Sequence, residues 1–262
     1  MSIVKTYRDA VREHGPRAIA TLTRYYAARV FGLLTGPGRV CPVCGAATRE
    51  FRPFVEFQYG VVRNRAVCPG CLSFERHRAY AAFYDEFIPA NFSGPVDILH
   101  AAPEEALIRV LKKHSRRYDL SGYPSAPSGH LRVDICDPQL PEESYDLIVL
   151  NHVLMCVPDD RRAVLALWKL LRPGGVILAG ESVARGHATW TQAEPGYGGR
   201  FNQYGDADLS SRFAPLHVSV LNVAEDFAPA DRVRYGIADC ETLLVIRAHP
   251  DSPVSASGKS VA

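Results

Sequence analysis

The amino-acid sequence predicts an α/β protein: a doubly wound, mostly parallel sheet preceded by a small module of helices and a metal-binding ribbon. Three observations carry this. After Gly94-Pro95 short apolar runs alternate with helical periods. Two Cys-Pro-x-Cys turns, Cys41 to Cys44 and Cys68 to Cys71, stand 23 residues apart. The first apolar run after residue 94 passes straight into a helix through His100-Ala-Ala-Pro-Glu104.

Taken in order, residues 3–35 read as two helices broken at Gly15-Pro16, with Pro16 suited to open the second. Leu22, Tyr25, Tyr26, Val30, Leu33 and Leu34 form an apolar stripe, with Arg17, Arg24 and Arg29 interspersed. Such a stripe serves a packed helix or a basic amphipathic helix on a membrane surface. Residues 39–90 hold the ribbon and a connecting helix from Ser73 to about Ile88. Strands are expected at Val96–His100, Arg117–Leu120, His130–Ile135, Tyr145–Leu150 and Val176–Ala179. Helices are expected at Glu105–His114 and Asp159–Leu171, the latter stopped by Arg172-Pro173-Gly174-Gly175. Residues 183–207, rich in glycine and aromatics (Trp190, Tyr197, Phe201, Tyr204), read as a long irregular segment of the kind that forms lids. His217–Val223 and Thr242–Arg247 close the sheet as an antiparallel pair. The expected division is 1–38, 39–90, 91–250 and a small, polar, disordered tail at 251–262.

Composition bounds the function. Apolar residues make up 47% and charged residues 22%, an ordinary globular balance. Met1 to His14 has no apolar core of a secretory signal, and no charge-free run is long enough to span a membrane, so a cytoplasmic address is the expectation. The net charge of +2 hides an asymmetry: residues 1–80 hold 13 Lys+Arg and 5 Asp+Glu, the rest 17 and 23. A basic N-terminal face suits either an anionic partner or plain solvation.

Of seven cysteines, Cys136, Cys156 and Cys240 stand alone, and Cys41, Cys44, Cys68 and Cys71 supply four thiolates. Four sulfurs from two such turns suit a closed tetrahedral zinc site, with iron the alternative and disulfides disfavoured by compartment. A four-ligand site is structural. Between the turns, Phe51, Phe54, Phe57 and Tyr59 mix with Arg49, Arg52, Arg63 and Arg65, a pattern that makes a mini-core and rim or grips nucleic acid.

The strand–turn–helix at Asp97 to Glu104 lacks Gly-x-Gly-x-x-Gly. That speaks against a pyrophosphate and is compatible with a cofactor carrying adenosine without phosphate. Residues 96–182 resemble the core of a class I S-adenosylmethionine-dependent methyltransferase. More narrowly, the chain resembles a bacterial subgroup of methyltransferase type 11-like proteins with an N-terminal CPxC zinc ribbon. The matching segments are Cys68 to Arg78, Leu99 to Glu104, Val133 to Asp137, Tyr145 to Leu154 and Leu171 to Gly175. The chain departs where the subgroup continues Glu-His-Val; here it has Met155-Cys156-Val157.

The resemblance implies a seven-stranded Rossmann-like methyltransferase sheet and S-adenosylmethionine as cofactor. It implies that His100, Ala101, Ala102, Pro103 and Glu104 wrap the methionine moiety and that Asp119, with Leu120, meets the ribose. Asp134 would accept from the adenine amino group, with Ile135 and Cys136 against the ring. Asn151 and His152 would face the sulfonium and the acceptor. Since in-line transfer to a hydroxyl benefits from a base, His152, His187 and His217 are candidates, His152 first. The expected acceptor is a small molecule, sugar or lipid-linked glycan. An RNA methyltransferase gripping RNA through the ribbon, and a cofactor-binding protein without catalysis, are the alternatives. Peripheral membrane contact through residues 3–35 completes the expectations; the oligomeric state is not legible.

Overall fold

The computed structural model describes residues 3–35, 38–239 and 241–248; Cys240 and the expected tail at 251–262 lie outside them. The chain divides into two compact units, residues 1–79 with 228–238 and residues 80–227 with 239–262. The N-terminal unit therefore includes a late segment that the sequence reading left with the sheet domain.

In the first unit, helices α1 (Ile3–His14) and α2 (Arg17–Thr35) meet at Gly15, whose φ is 77°. Ala10, Ala18 and Leu22 form their small core with Tyr7, Val11, Tyr26 and Phe57. The ribbon follows as two hairpins, β1 (Arg39–Val40) with β2 (Ala47–Thr48) and β3 (Arg52–Glu56) with β4 (Val61–Val67). Helix α3 (Glu75–Asn91) begins in this unit, and the division falls inside it, after Ala79.

Arg78 organises the ribbon. Fully buried, its guanidinium donates to the carbonyls of Ala66, Ser73, Arg65, Tyr235 and Gly236 and lies 3.9 Å from the centre of the Phe51 ring. Only arginine offers five donors in a fixed fork, so this residue carries helix α7 (Pro229–Tyr235) onto the ribbon. A second buried cation, Arg39, pairs with both oxygens of Glu50 at 2.7 and 2.9 Å and donates to the carbonyl of Val233.

The second unit contains the sheet. Its strands are β5 (Val96–Ala101), β6 (Ser115–Gly122), β7 (Leu131–Arg132), β8 (Tyr145–Asn151), β9 (Leu171–Gly180), β13 (His217–Asn222) and β14 (Thr242–Arg247). They lie in the order β13-β14-β9-β8-β5-β6-β7, and only β14 runs antiparallel to its neighbours. This is the expected doubly wound, mostly parallel seven-stranded sheet. β5 and β8 are buried along almost their whole length because helices cover both faces of a parallel sheet. Helix α4 (Glu105–Lys112) buries Leu107, Val110 and Leu111; helix α5 (Asp160–Trp168) buries Ala163, Val164 and Leu167. Asp159 caps α5, its Oδ1 accepting from Arg162 N at 2.9 Å.

Several boundaries move. β6 is eight residues long rather than four, and β7 shrinks to two residues at the sheet edge. The Pro173-Gly174-Gly175 stretch, read as a helix stop, is a bulge inside β9, which continues to Gly180. Residues 183–207 are not irregular. β10 (Val183–Ala184), β11 (Trp190–Thr191) and β12 (Asn202–Gly205) form a three-stranded sheet, followed by helix α6 (Asp206–Arg212). Polar side chains tie this segment down. Buried Asp160 accepts from Tyr204 Oη at 2.8 Å and from Arg212 at 2.7 and 2.9 Å, while Asn202 donates to the Val157 carbonyl at 2.8 Å.

Candidate active site

A cavity of about 630 Å³ opens at the carboxyl ends of the parallel strands. From β5 the chain proceeds to β6 on one side, while β8 pairs with β5 on the other. The cavity therefore sits where the strand order reverses, the place open α/β sheets use for ligands. Its size matches a drug-sized or nucleoside ligand.

Each wall comes from a strand end. β5 contributes Ala101 and Ala102; β6 contributes Ser121 and Gly122, continued by Tyr123 and Pro124. Val133 to Cys136 follow β7, and His152, Val153 and Cys156 to Asp159 follow β8, with Arg162 from α5. Two non-glycine residues flank the switch point at positive φ, Ala102 at 46° and His152 at 56°. Each is fixed by a backbone bond, Ala102 N to Ser121 O at 2.8 Å and His152 N to Gly180 O at 2.6 Å. Strained backbone of this kind clusters at functional sites. Gly122 is required: a Cβ there would lie 2.8 Å from the Ser125 carbonyl.

The structure sorts the expected residues. Ala101, Ala102, Asp134, Ile135, Cys136 and His152 line the cavity; His100, Pro103, Glu104, Asp119, Leu120 and Asn151 do not. His100 is buried, with Nδ1 2.8 Å from Tyr118 Oη, and burial pushes its pKa down to about 4, so it stays neutral. Asn151 and Glu104 lie behind the wall. The Asn151 Oδ1 accepts from Tyr84 Oη at 3.0 Å and Gly180 N at 3.1 Å, while its Nδ2 donates to Glu104 Oε2 at 3.0 Å.

Asp119 is not among the residues that line the cavity. The extension of β6 to Gly122 places it mid-strand opposite Leu99. Its Oδ2 accepts from Tyr145 Oη at 2.8 Å and lies 3.3 Å from Arg117 Nε. The strand end that reaches the cavity offers Ser121 and Tyr123 instead of a carboxylate. Asp134 lines the cavity, its Oδ1 accepting from Cys136 N at 2.9 Å. Of the Met155-Cys156 departure, only Cys156 faces the cavity; Met155 is buried in the core. Of the other base candidates, His187 and His217 are absent from the wall.

Sequence reasoning missed Glu181, the residue that follows β9. It is buried, and its Oε1 accepts from Leu154 N at 2.9 Å, beneath the helical turn Leu154–Cys156 that carries Cys156. Burial raises its pKa to about 8, against the amides of Leu154, Met155 and Val153, which favour the carboxylate. The available signal was its position, an acid at the carboxyl end of a parallel strand.

The architecture and crevice define an open α/β protein with a nucleoside-sized site at its switch point. A family model described as a methyltransferase domain matches residues 95–179. That match spans β5 to β9, so this stretch of the chain is similar to a methyltransferase domain. Among curated proteins nothing matches the chain. Solved structures similar to it include 1,6-didemethyltoxoflavin-N1-methyltransferase of Burkholderia thailandensis with S-adenosylhomocysteine bound. That likeness has 14% identity, covers 64% of this chain and 77% of that one, and has a TM-score of 0.46. Another is an S-adenosylmethionine dependent methyltransferase of Mesorhizobium loti, at 17% identity, 61% and 94% coverage and a TM-score of 0.41.

The residues fit S-adenosylmethionine, the cofactor that the sequence resemblance implies, in part. The small side chains of Ala101 and Ala102 leave room for close approach, and the wall carries one guanidinium and no cluster of cations, as suits a ligand without phosphate. At the end of β6 the wall offers the hydroxyls of Ser121 and Tyr123 and no carboxylate. Calorimetry with S-adenosylhomocysteine should therefore show Asp119→Ala binding within about threefold of wild type, because the lost bond lies outside the cavity. Its cost falls on stability, at roughly 1–3 kcal/mol for the stranded Tyr145 hydroxyl. Asp134→Ala should weaken binding by about tenfold or more, the loss of one charge-assisted bond.

Glu181 makes a separate prediction. Its folded pKa exceeds the unfolded value, so between pH 4.5 and about 8 the folded state holds the extra proton and stability falls as pH rises. Urea titrations across that window should show Glu181→Gln losing this decline of up to about 1.4 kcal/mol per pH unit. Equal slopes for the two proteins would show that Glu181 is ionised throughout.

Proposed function

We propose that the chain transfers a methyl group from S-adenosylmethionine to a hydroxyl of a small molecule, sugar or lipid-linked glycan. The observation that carries the reading is His152, held at positive φ on the cavity wall beside Cys156. The bound cofactor supplies a sulfonium whose methyl is already activated. Asp134 would accept from the adenine amino group, with Ile135 and Cys136 against the ring. Ser121 would meet the ribose, and the backbone at Ala101 and Ala102 the methionine moiety. His152 would take the proton from the acceptor hydroxyl, its imidazole the one ring base among the described residues of the wall. The apolar stretches Val133, Ile135, Val153 and Val157 exclude water from that exchange.

The expected outcome for His152→Ala is a turnover reduced by about 10²–10⁴-fold with unchanged S-adenosylhomocysteine affinity, measured with the acceptor that wild type methylates. Unchanged turnover would remove the base role. Tight cofactor binding with no transfer to any metabolite or glycan pool would favour a binding protein. Salt-dependent RNA affinity joined to RNA methylation would favour the RNA reading, whose support is the excess of Lys and Arg in residues 1–80.

We also propose a structural zinc ion for the four-cysteine cluster. Its four Sγ atoms lie within 4.8 Å of one another, with Cys41 to Cys71 at 3.7 Å and Cys44 to Cys68 at 3.9 Å. A zinc tetrahedron with sulfur at about 2.3 Å has edges of about 3.8 Å. Residues in the left-handed region follow each turn, Gly45 at 74° and Leu72 at 60°, where Gly45 N bonds to Cys41 O and Leu72 N to Cys68 O. Elemental analysis should find about one zinc per chain, and its removal by chelation should lower thermal stability by several degrees. Iron, or no metal, in protein purified without chelator would overturn the assignment.

A further inference from the structure

Helix α2 presents a face that the N-terminal unit leaves open. Three columns at heptad spacing make it: Arg17, Arg24 and Phe31; Ala20, Ala27 and Leu34; Pro16, Thr23 and Val30. All nine are exposed. Towards the end of the helix the face becomes apolar, with Val30 56%, Phe31 66% and Leu34 68% exposed. Leaving three large apolar side chains together in water is costly, and such clusters mark interaction sites. The opposite side of α2 is satisfied, since Ala18 and Leu22 pack into the helical core.

Charge identifies the occupant. α2 contains Arg17, Arg24 and Arg29 and no acidic residue. α1 adds exposed Lys5, Arg8 and Arg12 against Asp9 and Glu13. Apolar residues flanked by arginines, on a helix not apolar enough to cross a bilayer, match an interfacial helix on an anionic membrane. RNA fits less well, because Val30 and Leu34 cannot stack on bases and Phe31 is the one aromatic of the exposed columns. We propose that the outward face of α2 docks on an anionic lipid surface, inserting Val30, Phe31 and Leu34 while Arg17 and Arg24 meet the headgroups. The surface is independent of the methyl-transfer reading, and either can fail without the other.

The test is co-sedimentation of the full chain with vesicles of phosphatidylcholine alone or mixed with phosphatidylglycerol. Wild type should bind the mixed vesicles, more weakly as salt rises, and bind pure phosphatidylcholine at least about tenfold less. F31E combined with L34E should lower binding to mixed vesicles at least about tenfold, since two charges replace buried apolar groups. Both positions are exposed, so metal content and S-adenosylhomocysteine affinity should not change, which separates lost docking from lost folding. R17A combined with R24A should reduce binding to anionic vesicles and flatten the salt dependence. Absence of vesicle binding by wild type, or binding untouched by the Glu pair, would overturn the proposal. So would light scattering that shows a dimer abolished by the Glu pair without vesicle binding, or salt-sensitive RNA binding that requires Phe31.

Discussion

The carboxamide of Asn151 is the joint on which the site depends. It is buried, and its three hydrogen bonds reach Tyr84 on α3, Gly180 at the end of β9 and Glu104 at the start of α4. The loop after β5 and the turn after β8 are thereby referred to one side chain. Gly180 must be glycine for this to occur, because a Cβ would fall 2.6 Å from Asn151 Oδ1 and from the Tyr80 ring. The positive φ of His152 is the next step along the chain. An unfavourable backbone of that kind costs on the order of 1–2 kcal/mol and persists only where neighbours over-determine it. Here the bond from His152 N to Gly180 O and the clamped Asn151 do so.

The sheet was legible because its signal is local. β5 and β8 are short apolar runs bounded by turn residues, and parallel strands buried on both faces must read that way. The edges were harder. β6 begins with Ser115-Arg116-Arg117 and ends with Gly122, residues that carry no strand signal, yet pairing to β5 extends it at both ends. The sheet around 183–205 was invisible for a different reason. Its strands are two to four residues long, held by a long-range node of Asp160, Asn202, Tyr204 and Arg212 that no window of sequence contains. The same holds for α7, which joins the N-terminal unit through carbonyls accepting from Arg39 and Arg78.

In the site, the residues legible in sequence were those set by turn chemistry. Ala101-Ala102 and Asp134 to Cys136 sit where strand ends meet loops, so their spacing survives small errors of boundary. Asp119 lies off the wall, because a strand has period two and its end decides which residue reaches the crevice. Ending β6 at Leu120 puts a carboxylate at the crevice; extending it by two residues replaces that carboxylate with Ser121 and Tyr123. A single boundary therefore changed the expected chemistry of ribose recognition.

Charge is distributed so that the cavity stays nearly neutral. A network of ion pairs lies at the opposite, amino ends of the strands, where Asp97 and Asp146 share Arg172 at 2.9 Å each and Arg116 adds a third link. The Arg116 guanidinium, with burial opposing it, holds the Asp97 carboxyl below its usual range. On the cavity side, Glu181 is kept protonated at neutral pH by burial, and the carboxylates of Asp134 and Asp159 each accept one backbone amide. A cationic sulfonium entering such a crevice meets two hydrogen-bonded carboxylates and a single guanidinium, Arg162. An anionic pyrophosphate would find neither glycine-rich backbone nor a group of cations. The same balance that disfavours phosphate thus leaves attraction for a cation, and it follows from where the chain places its arginines more than from any one motif.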